Sequence, residues 1–317
     1  MPPTDSDLKF IEKIGRTCYK SEDKITDDSA GKFVENLIKR GHWAMLEHGT
    51  IYILVDKRLG DAIWNEASDH KFDMRYVVMT PATLEKRLIS GNFRAFDQWF
   101  SNYVRLTAPG TGDEDLCLPC VQALLESIMA AYQSLYAGRY SVASVARSSI
   151  QVVDEKDLES IKMMDLYRRK HIRHTVKFTC DRGVSHELVR HRPCSFAQES
   201  SRYANYSKEK FGSEITVIKP FFFEEGSHGY DVWKRSCEHA ERAYMTLLEQ
   251  GYSPQEARSV LPNSLKTELI MTATEEEWQH IIDLRYHGTT GAPHPQMQEL
   301  MGPWVEELTK ITNGRVS

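Results

Sequence analysis

Between Ser253 and Arg285 the chain is densely punctuated by helix and strand start and stop signals. In SPQE (253–256) Ser253 is placed to cap a helix, Pro254 to occupy its first position and Glu256 to close a capping box. Pro262 ends that helix, and LKTELIMTA (265–273) reads as a strand. TEEE (274–277) is a second capping-box start, with a helix running to about Arg285, and a last helix is predicted from about Pro295 to Ile311. Helices and strands thus follow one another without regular alternation, which favours α+β over a doubly wound sheet.

The 317 residues suffice for one large domain or two small ones with ample core. AGKFVENLIKRG (30–41) predicts a helix with Phe33, Val34, Leu37 and Ile38 on one face and Gly41 as its stop, and EHGTIYILV (47–55) predicts a strand. From about 56 to 174 the character changes. APGTGDEDLC (108–117) is loop-like, and LPCVQALLESIMAAYQSLYAG (118–138) is a strong amphipathic helix. Residues 151–174 are charged and predicted helical in part, and DVWKRSCEHAERAYMTLLEQG (231–251) is a helix.

Net charge is −5, which argues against a general nucleic-acid coat or an anionic membrane as partner. No run approaches the apolar length of a membrane span, and MPPTDSDLKFIEKIG has no apolar leader core. Six scattered cysteines suit a reducing cytoplasm. CLPC (117–120) has no second pair to make a zinc set, and no metal site is expected. There is neither a GxGxxG after a strand nor a P-loop.

The chemistry concentrates in RHRPCSFAQESSRY (190–203), where cationic and hydroxyl donors follow the apolar Leu188 and Val189. As a strand ending at Pro193, it would put Arg190 and Arg192 on one face and His191 on the other. Arginine forks, with the hydroxyl and amide donors of residues 198–202, would cradle phosphate or carboxylate oxygens. The plainer alternative is an arginine cluster paired with Glu187 and Glu199. Arg285 lies on the apolar stripe of Trp278, Ile281 and Ile282, where a cation needs either a salt bridge or a polar ligand. Arg258 poses the same question more mildly. His42 and His48 flank Glu47 where a helix gives way to a strand, a junction that can line a cleft. YRRKHIRH (167–174) reads as a solvated basic face.

RHR followed by seven residues and Ser200 resembles the signature of the flavin-dependent thymidylate synthases. The resemblance continues in GRTCYKS (15–21), GHWAMLEH (41–48), CDRGVSHELVRHR (180–192), ARSVLPNSLKTELIMTAT (257–274) and LR…HPQM (284–297). It implies a mixed sheet flanked by helices and a homotetramer with FAD where subunits meet. It also implies conversion of dUMP to dTMP, with methylene-tetrahydrofolate as carbon donor and NADPH as reductant. Carried over by position, Arg190, His191 and Arg192 would contact FAD, with Arg190 also near the nucleotide. Gln198, Glu199, Ser200, Ser201 and Arg202 would line the dUMP site, with Gln198 reaching the flavin as well. Glu187 stands where the family usually has glutamine, on the nucleotide; Arg258 would hold dUMP and Arg285 would face the uracil ring. His42 falls on the flavin and folate histidine and Glu47 on its nearby glutamate. Cys18, Ala44, Thr274 and His280 take flavin-side positions, the first three departing from the serine, threonine and asparagine of some members. Cys194, although it follows a proline, reads as a packing residue.

Compact members run almost directly from the strand at 47–55 to the RHR segment. The stretch at about 56–174 is therefore expected as a helical insertion into a single domain spanning 1–317. Two other readings use the same residues: a catalytically silent nucleotide- or flavin-binding protein on this scaffold, and an RNA-binding module built on 167–174, which the acidic net charge disfavours.

Overall fold

The computed structural model describes residues 4–108, 118–136, 138–140, 149–202, 205–208 and 213–317. Cys117 and Tyr203 of the motifs above, and most of the loop at 108–117, lie outside them. The chain forms two compact units, one of residues 1–13 and 25–174, the other of 14–24 and 175–317.

Helix α1 (Thr4–Tyr19) contributes residues to both units. The first unit continues with α2 (Ser29–Lys39), which ends as predicted. Gly41 takes φ +69°, and the amides of Gly41 and His42 donate to the carbonyls of Ile38 and Leu37, satisfying the last turn. A 3₁₀ turn over Trp43–His48 precedes β1 (Thr50–Asp56), so Glu47 sits in that turn and not in the strand. Then come α3 (Lys57–Asp69), β2 (Val77–Pro81), β3 (Lys86–Asn92), α4 (Phe93–Leu106), α5 (Pro119–Ala131), α6 (Gln133–Tyr136), β4 (Ile150–Val153), α7 (Glu155–Leu158) and α8 (Asp165–Arg168).

The four strands pair antiparallel in the order β2–β3–β1–β4. The expectation of a helical insertion is therefore corrected: 56–174 supplies three of the four strands, and β1 lies between two of them. The predicted helix at 118–138 is likewise two helices, broken at Tyr132. On one face of the sheet Tyr52 and Leu88 join Val153, Leu158, Met163 and Ile172 in a core. The alternate residues Ile51, Ile53, Val55 and Ile89 are buried on the other face, the side from which α3, α4 and α5 supply their own buried residues.

The basic run at 167–174 is not a solvated face throughout. His171 is fully buried, its Nε2 2.8 Å from Thr80 Oγ1 and its Nδ1 2.8 Å from Ser90 Oγ. Burial, with the positive Arg173 and Lys170 adding to it, lowers the imidazole to about 3. The folded state thus holds it neutral while an unfolded chain protonates below about 6.5, so its contribution to stability is lost as pH falls from there toward 3. Asp7 works the other way. Burial and the carboxylates of Asp154 and Glu155 push it up to about 7, against a lowering hydrogen bond to Tyr132. It costs stability as pH rises from about 4 to 7.

These signs give a prediction. In urea titrations at pH 5.0 and 7.5, His171→Gln removes about 2 kcal/mol of acid-side loss relative to wild type. Asp7→Asn shifts the balance oppositely, gaining more at pH 7.5 than at pH 5.0. A His171→Gln protein with the wild-type pH dependence would contradict the buried neutral imidazole.

The second unit contains β5 (Arg173–Asp181), α9 (Arg182–Leu188), β6 (Ser195–Gln198), α10 (His228–Glu249), α11 (Pro254–Ala257), β7 (Lys266–Thr274), α12 (Glu275–Arg285) and α13 (Pro295–Ile311), with the first two residues of β5 counted in the first unit. Its sheet runs β5–β7–β6, with β6 and β7 antiparallel. Phe178, Leu269, Met271 and Ala273 on one face pack with Val184, Leu188, Trp278, Ile281, Ile282, Met297 and Met301 from the helices. The α+β class holds, and the punctuation at 253–311 is observed closely. The capping box of Ser253 and Glu256 is complete and α13 has the predicted ends, whereas of the second expected box only the Thr274 half is seen, accepting from the Glu277 amide, with Glu277 Oε1 turned toward His191. No described helix is long and apolar enough to cross a membrane.

Candidate functional site

The RHR segment is not a strand. Asp181 Oδ1 accepts from the Val184 amide at 2.7 Å and caps α9, whose Val184 and Leu188 turn inward one helical turn apart. The chain then turns: the amides of Arg190 and His191 donate to the carbonyls of Glu187 and Leu188, and β6 begins only at Ser195. Arg190 and Arg192 are therefore exposed ends of a turn, and His191 is buried beneath them. Cys194 is buried in the core cluster, in keeping with a packing role.

Arg285, the last residue of α12, reaches this turn. Its Nε donates to His191 Nε2 at 3.1 Å, one terminal nitrogen to Glu187 Oε2 at 2.9 Å, and the other to the Glu187 carbonyl at 3.3 Å. The cation on an apolar stripe is thus explained locally by a half-buried carboxylate, buried imidazole and backbone acceptor, each from the α9–turn segment. The opposite ring nitrogen of His191 lies 3.7 Å from Glu277 Oε1, and the His280 ring stands 6.1 Å from that of His191.

His191, Glu277 and His280 have ligand atoms within 4.8 Å of one another, a spacing compatible with a metal. The Arg285 contact opposes it. An arginine only donates, so His191 Nε2 must accept, and in the neutral ring the proton is on Nδ1, the atom that would face an ion.

Gln198 and Glu199, grouped by the resemblance in one site, face opposite sides of the sheet. The Gln198 amide nitrogen donates to Ser185 Oγ at 2.9 Å and Thr267 Oγ1 at 3.3 Å, on the side of α9. Glu199 is 3% exposed and lies 3.6 Å from Lys20 Nζ and 3.7 Å from Lys266 Nζ. Those lysines also meet Glu268, Lys20 at 2.5 Å and Lys266 at 3.4 Å. Burial raises Glu268, but the Lys20 hydrogen bond and the charges of Lys20, Lys266 and Lys177 outweigh it and hold the carboxyl below its usual range. A cavity of about 730 Å³ opens here, lined by Tyr19, Lys20, Glu199, Tyr206, Thr216 and Lys266 among others. Alternation along a strand is the sequence signal that separates the pair.

Ser200 Oγ accepts from the Arg202 amide at 3.4 Å, with Ser201 between them on the turn after β6, and the Arg202 side chain is exposed. Arg258 is exposed at the end of α11. Thr274 is occupied as a helix cap and His280 is exposed on α12. Cys18 is buried, and burial pushes its thiol up to about 12, so it offers only a weak S–H donor. His42, Ala44 and Glu47 belong to the first unit, on or beside the 3₁₀ turn, and Glu47 is ion-paired there with Arg94 of α4. Glu277, Lys20, Lys266 and Arg94 are not marked by sequence reasoning. Glu277 reads only as part of a capping sequence, and nothing in the sequence pairs the others.

A family profile described as thymidylate synthase complementing protein matches residues 124–312. A protein from Pyrococcus furiosus named flavin-dependent thymidylate synthase is 30% identical over 167 residues, covering 51% of this chain and 66% of the relative. One of the same name from Thermococcus kodakarensis is 32% identical over 131 residues, covering 41% of this chain and 51% of the relative. The chain thus spans between about half and two thirds of the length of these curated relatives. A crystal structure of a UMP/dUMP methylase, PolB, from Streptomyces cacaoi bound with 5-Br dUMP is 21% identical, covers 52% of this chain and 84% of that chain, and superposes with a TM-score of 0.39, too loosely to bear on the fold.

Proposed function

The chain belongs to the thymidylate synthase complementing protein family, and on that premise we propose that it is a flavin-dependent thymidylate synthase. It would methylate dUMP to dTMP reductively, with methylene-tetrahydrofolate as carbon donor and NADPH as reductant, as a cytoplasmic homotetramer. The observation that carries the reading is the Arg285 guanidinium, fixed at Nε by His191 and held at the RHR turn on the end of an otherwise apolar helix face.

For C5 of uracil to attack a one-carbon unit, negative charge must grow on the ring carbonyls and N3. A guanidinium held in place before the reaction favours that state over the ground state. Arg202 and Arg258 supply exposed forks suited to the nucleotide phosphate, and Gln198, Ser200 and Ser201 supply neutral hydrogen-bonding groups. The donor chemistry of the turn fits a flavin dinucleotide: Arg190 and Arg192 are exposed cations two residues apart for a diphosphate, with His191 between them and Thr274 and His280 on α12 and its cap. By the resemblance, His42, Ala44 and Glu47 would also serve the flavin, and Cys18 by packing more than by hydrogen bonding. When bound, FAD would accept electrons from NADPH and supply the hydride; the protein's part is orientation and electrostatics. The 56–174 segment is an elaboration of this one catalytic protein.

The Glu187 carboxylate on Arg285 favours a second reading, a silent nucleotide- or flavin-binding protein whose key guanidinium is already satisfied. Two measurements separate them. The synthase purifies yellow, is bleached anaerobically by NADPH, is reoxidised by dUMP plus methylene-tetrahydrofolate, and releases tritium from C5-labelled dUMP. A yellow protein that binds dUMP without tritium release under those conditions would overturn the proposal.

A further inference from the structure

We infer that Glu277 is a positioning residue for Arg285, acting through the tautomer of His191. The inference rests on the reading above that Arg285 faces the pyrimidine, but the contact itself stands on geometry. Glu277 and Arg285 lie eight residues apart on α12, about 12 Å along the axis. Their side chains meet opposite nitrogens of one imidazole, which comes from the RHR turn and spans the gap. Arg285 Nε–H requires the lone pair of His191 at Nε2, at 3.1 Å. The ring proton is then on Nδ1, on the side of the Glu277 carboxylate, whose Oε1 lies 3.7 Å away, an electrostatic contact beyond direct hydrogen-bond reach. His191 is 7% exposed, so water is poorly placed to substitute for the carboxylate. The Glu277 backbone is held at the start of α12, where its amide donates to the Thr274 cap at 3.2 Å.

The carboxylate's negative charge therefore favours the Nδ1–H tautomer that the Arg285 donor requires, and so helps keep an acceptor presented to Arg285. With the proton on Nε2, two N–H groups would oppose each other and the guanidinium would turn away from the direction set by His191 and Glu187. The charged and titratable groups facing this imidazole are Glu277, His280 and Arg285 from α12, with Glu187 from α9 behind Arg285.

The test uses the full chain labelled with ¹⁵N-histidine, with His191→Gln to assign its signals in long-range ¹H–¹⁵N spectra. Wild type and Glu277→Gln, whose amide oxygen still presents partial negative charge toward Nδ1–H, are expected to show the Nδ1–H form; Glu277→Ala is expected to shift to Nε2–H or a mixture. In tritium release, Glu277→Ala loses roughly 100-fold in kcat with KM for dUMP within about threefold, and Glu277→Gln recovers most of the rate. The inference is overturned if wild-type His191 carries its proton on Nε2, if Glu277→Ala keeps the wild-type tautomer, or if both variants lose activity equally. Added zinc that perturbs the Nδ1 signal of wild type would also overturn it, as metal ligation. Should Glu277→Ala fail to fold, the wild-type tautomer and the Gln variant decide. If the tautomers behave as expected but wild type releases no tritium, the positioning contact stands and the proposed function falls.

Discussion

Arg285→Ala should leave a folded protein that still binds flavin and releases tritium from C5-labelled dUMP about 10²–10³-fold more slowly. The fold should survive because the side chains of Arg285 and Glu187 are 24% and 32% exposed, so water can solvate the carboxylate left behind. The loss should fall on kcat more than on KM. The guanidinium's worth lies in charge that develops on the ring as C5 becomes nucleophilic, and the neutral uracil of the ground state gains little from it. Lysine should rescue poorly, since the three N–H groups of an ammonium sit on one nitrogen and cannot occupy the three separate donor positions of the guanidinium at the same time. Glu187→Gln should move in the other direction on binding. It removes a carboxylate from the approach of an anionic nucleotide and loosens the claim on Arg285, so KM for dUMP should fall by roughly three- to tenfold. Turnover by Arg285→Ala within about threefold of wild type would sink the role given to it.

That arginine is legible as an oddity in the amino-acid sequence by itself. A cation spaced with Trp278, Ile281 and Ile282 must be satisfied, and the local pairing expected as the plainer alternative is present in Glu187. A structural salt bridge and a poised donor share this pairing and differ in kcat once Arg285 is removed. The partners are less legible. Glu277 sits in TEEE, where a carboxylate near a helix start already has an explanation, so nothing marks it for a second task. His191 can be placed in the motif, but its burial depends on the turn that follows α9. Leu188 and Val189 read as the end of a strand because two adjacent apolar residues fit either period. A seven-residue helix offers only one pair, Val184 and Leu188, to reveal the longer one. By contrast α11 and α13 carry their own ends, in Ser253, Pro254 and Glu256 and in Pro295, and there sequence and structure agree. Gln198 and Glu199 show a different limit. A signature aligns neighbours into one site, whereas a strand sends them to opposite faces, and Glu199 ends among Lys20 and Lys266.

The segment at 56–174 misleads because its strongest signal is helical, the apolar stripe from Val121 through Ile128, while its strands are short. The consequence is the other large effect expected. Excising residues 57–149 and joining the ends with a short linker should abolish soluble folding of the first unit. Strand β1 pairs with β3 along its whole length, from Thr50 opposite Asn92 to Asp56 opposite Lys86, and on its other edge with β4. Excision removes β2 and β3 and exposes the apolar face of Ile51, Ile53 and Val55, now at most 1% exposed. It also takes away Phe93, Phe96, Trp99, Phe100, Leu124 and Leu125, all fully buried. At about 1.5–3 kcal/mol for each large apolar side chain, their summed contribution is comparable to or larger than the 5–15 kcal/mol that separates a folded domain from its unfolded chain. The join is equally intimate at the start of β1. A Cβ on Gly49 would come within 2.3 Å of the Phe93 ring, so even Gly49→Ala should destabilise the unit while leaving the chain length unchanged. The excised protein is expected in the insoluble fraction or as a protease-sensitive species, and Gly49→Ala as a soluble protein with a lowered melting temperature. A soluble excised chain with wild-type tritium release would show instead that the segment is an outer layer, and that β1 finds another partner when β3 is gone.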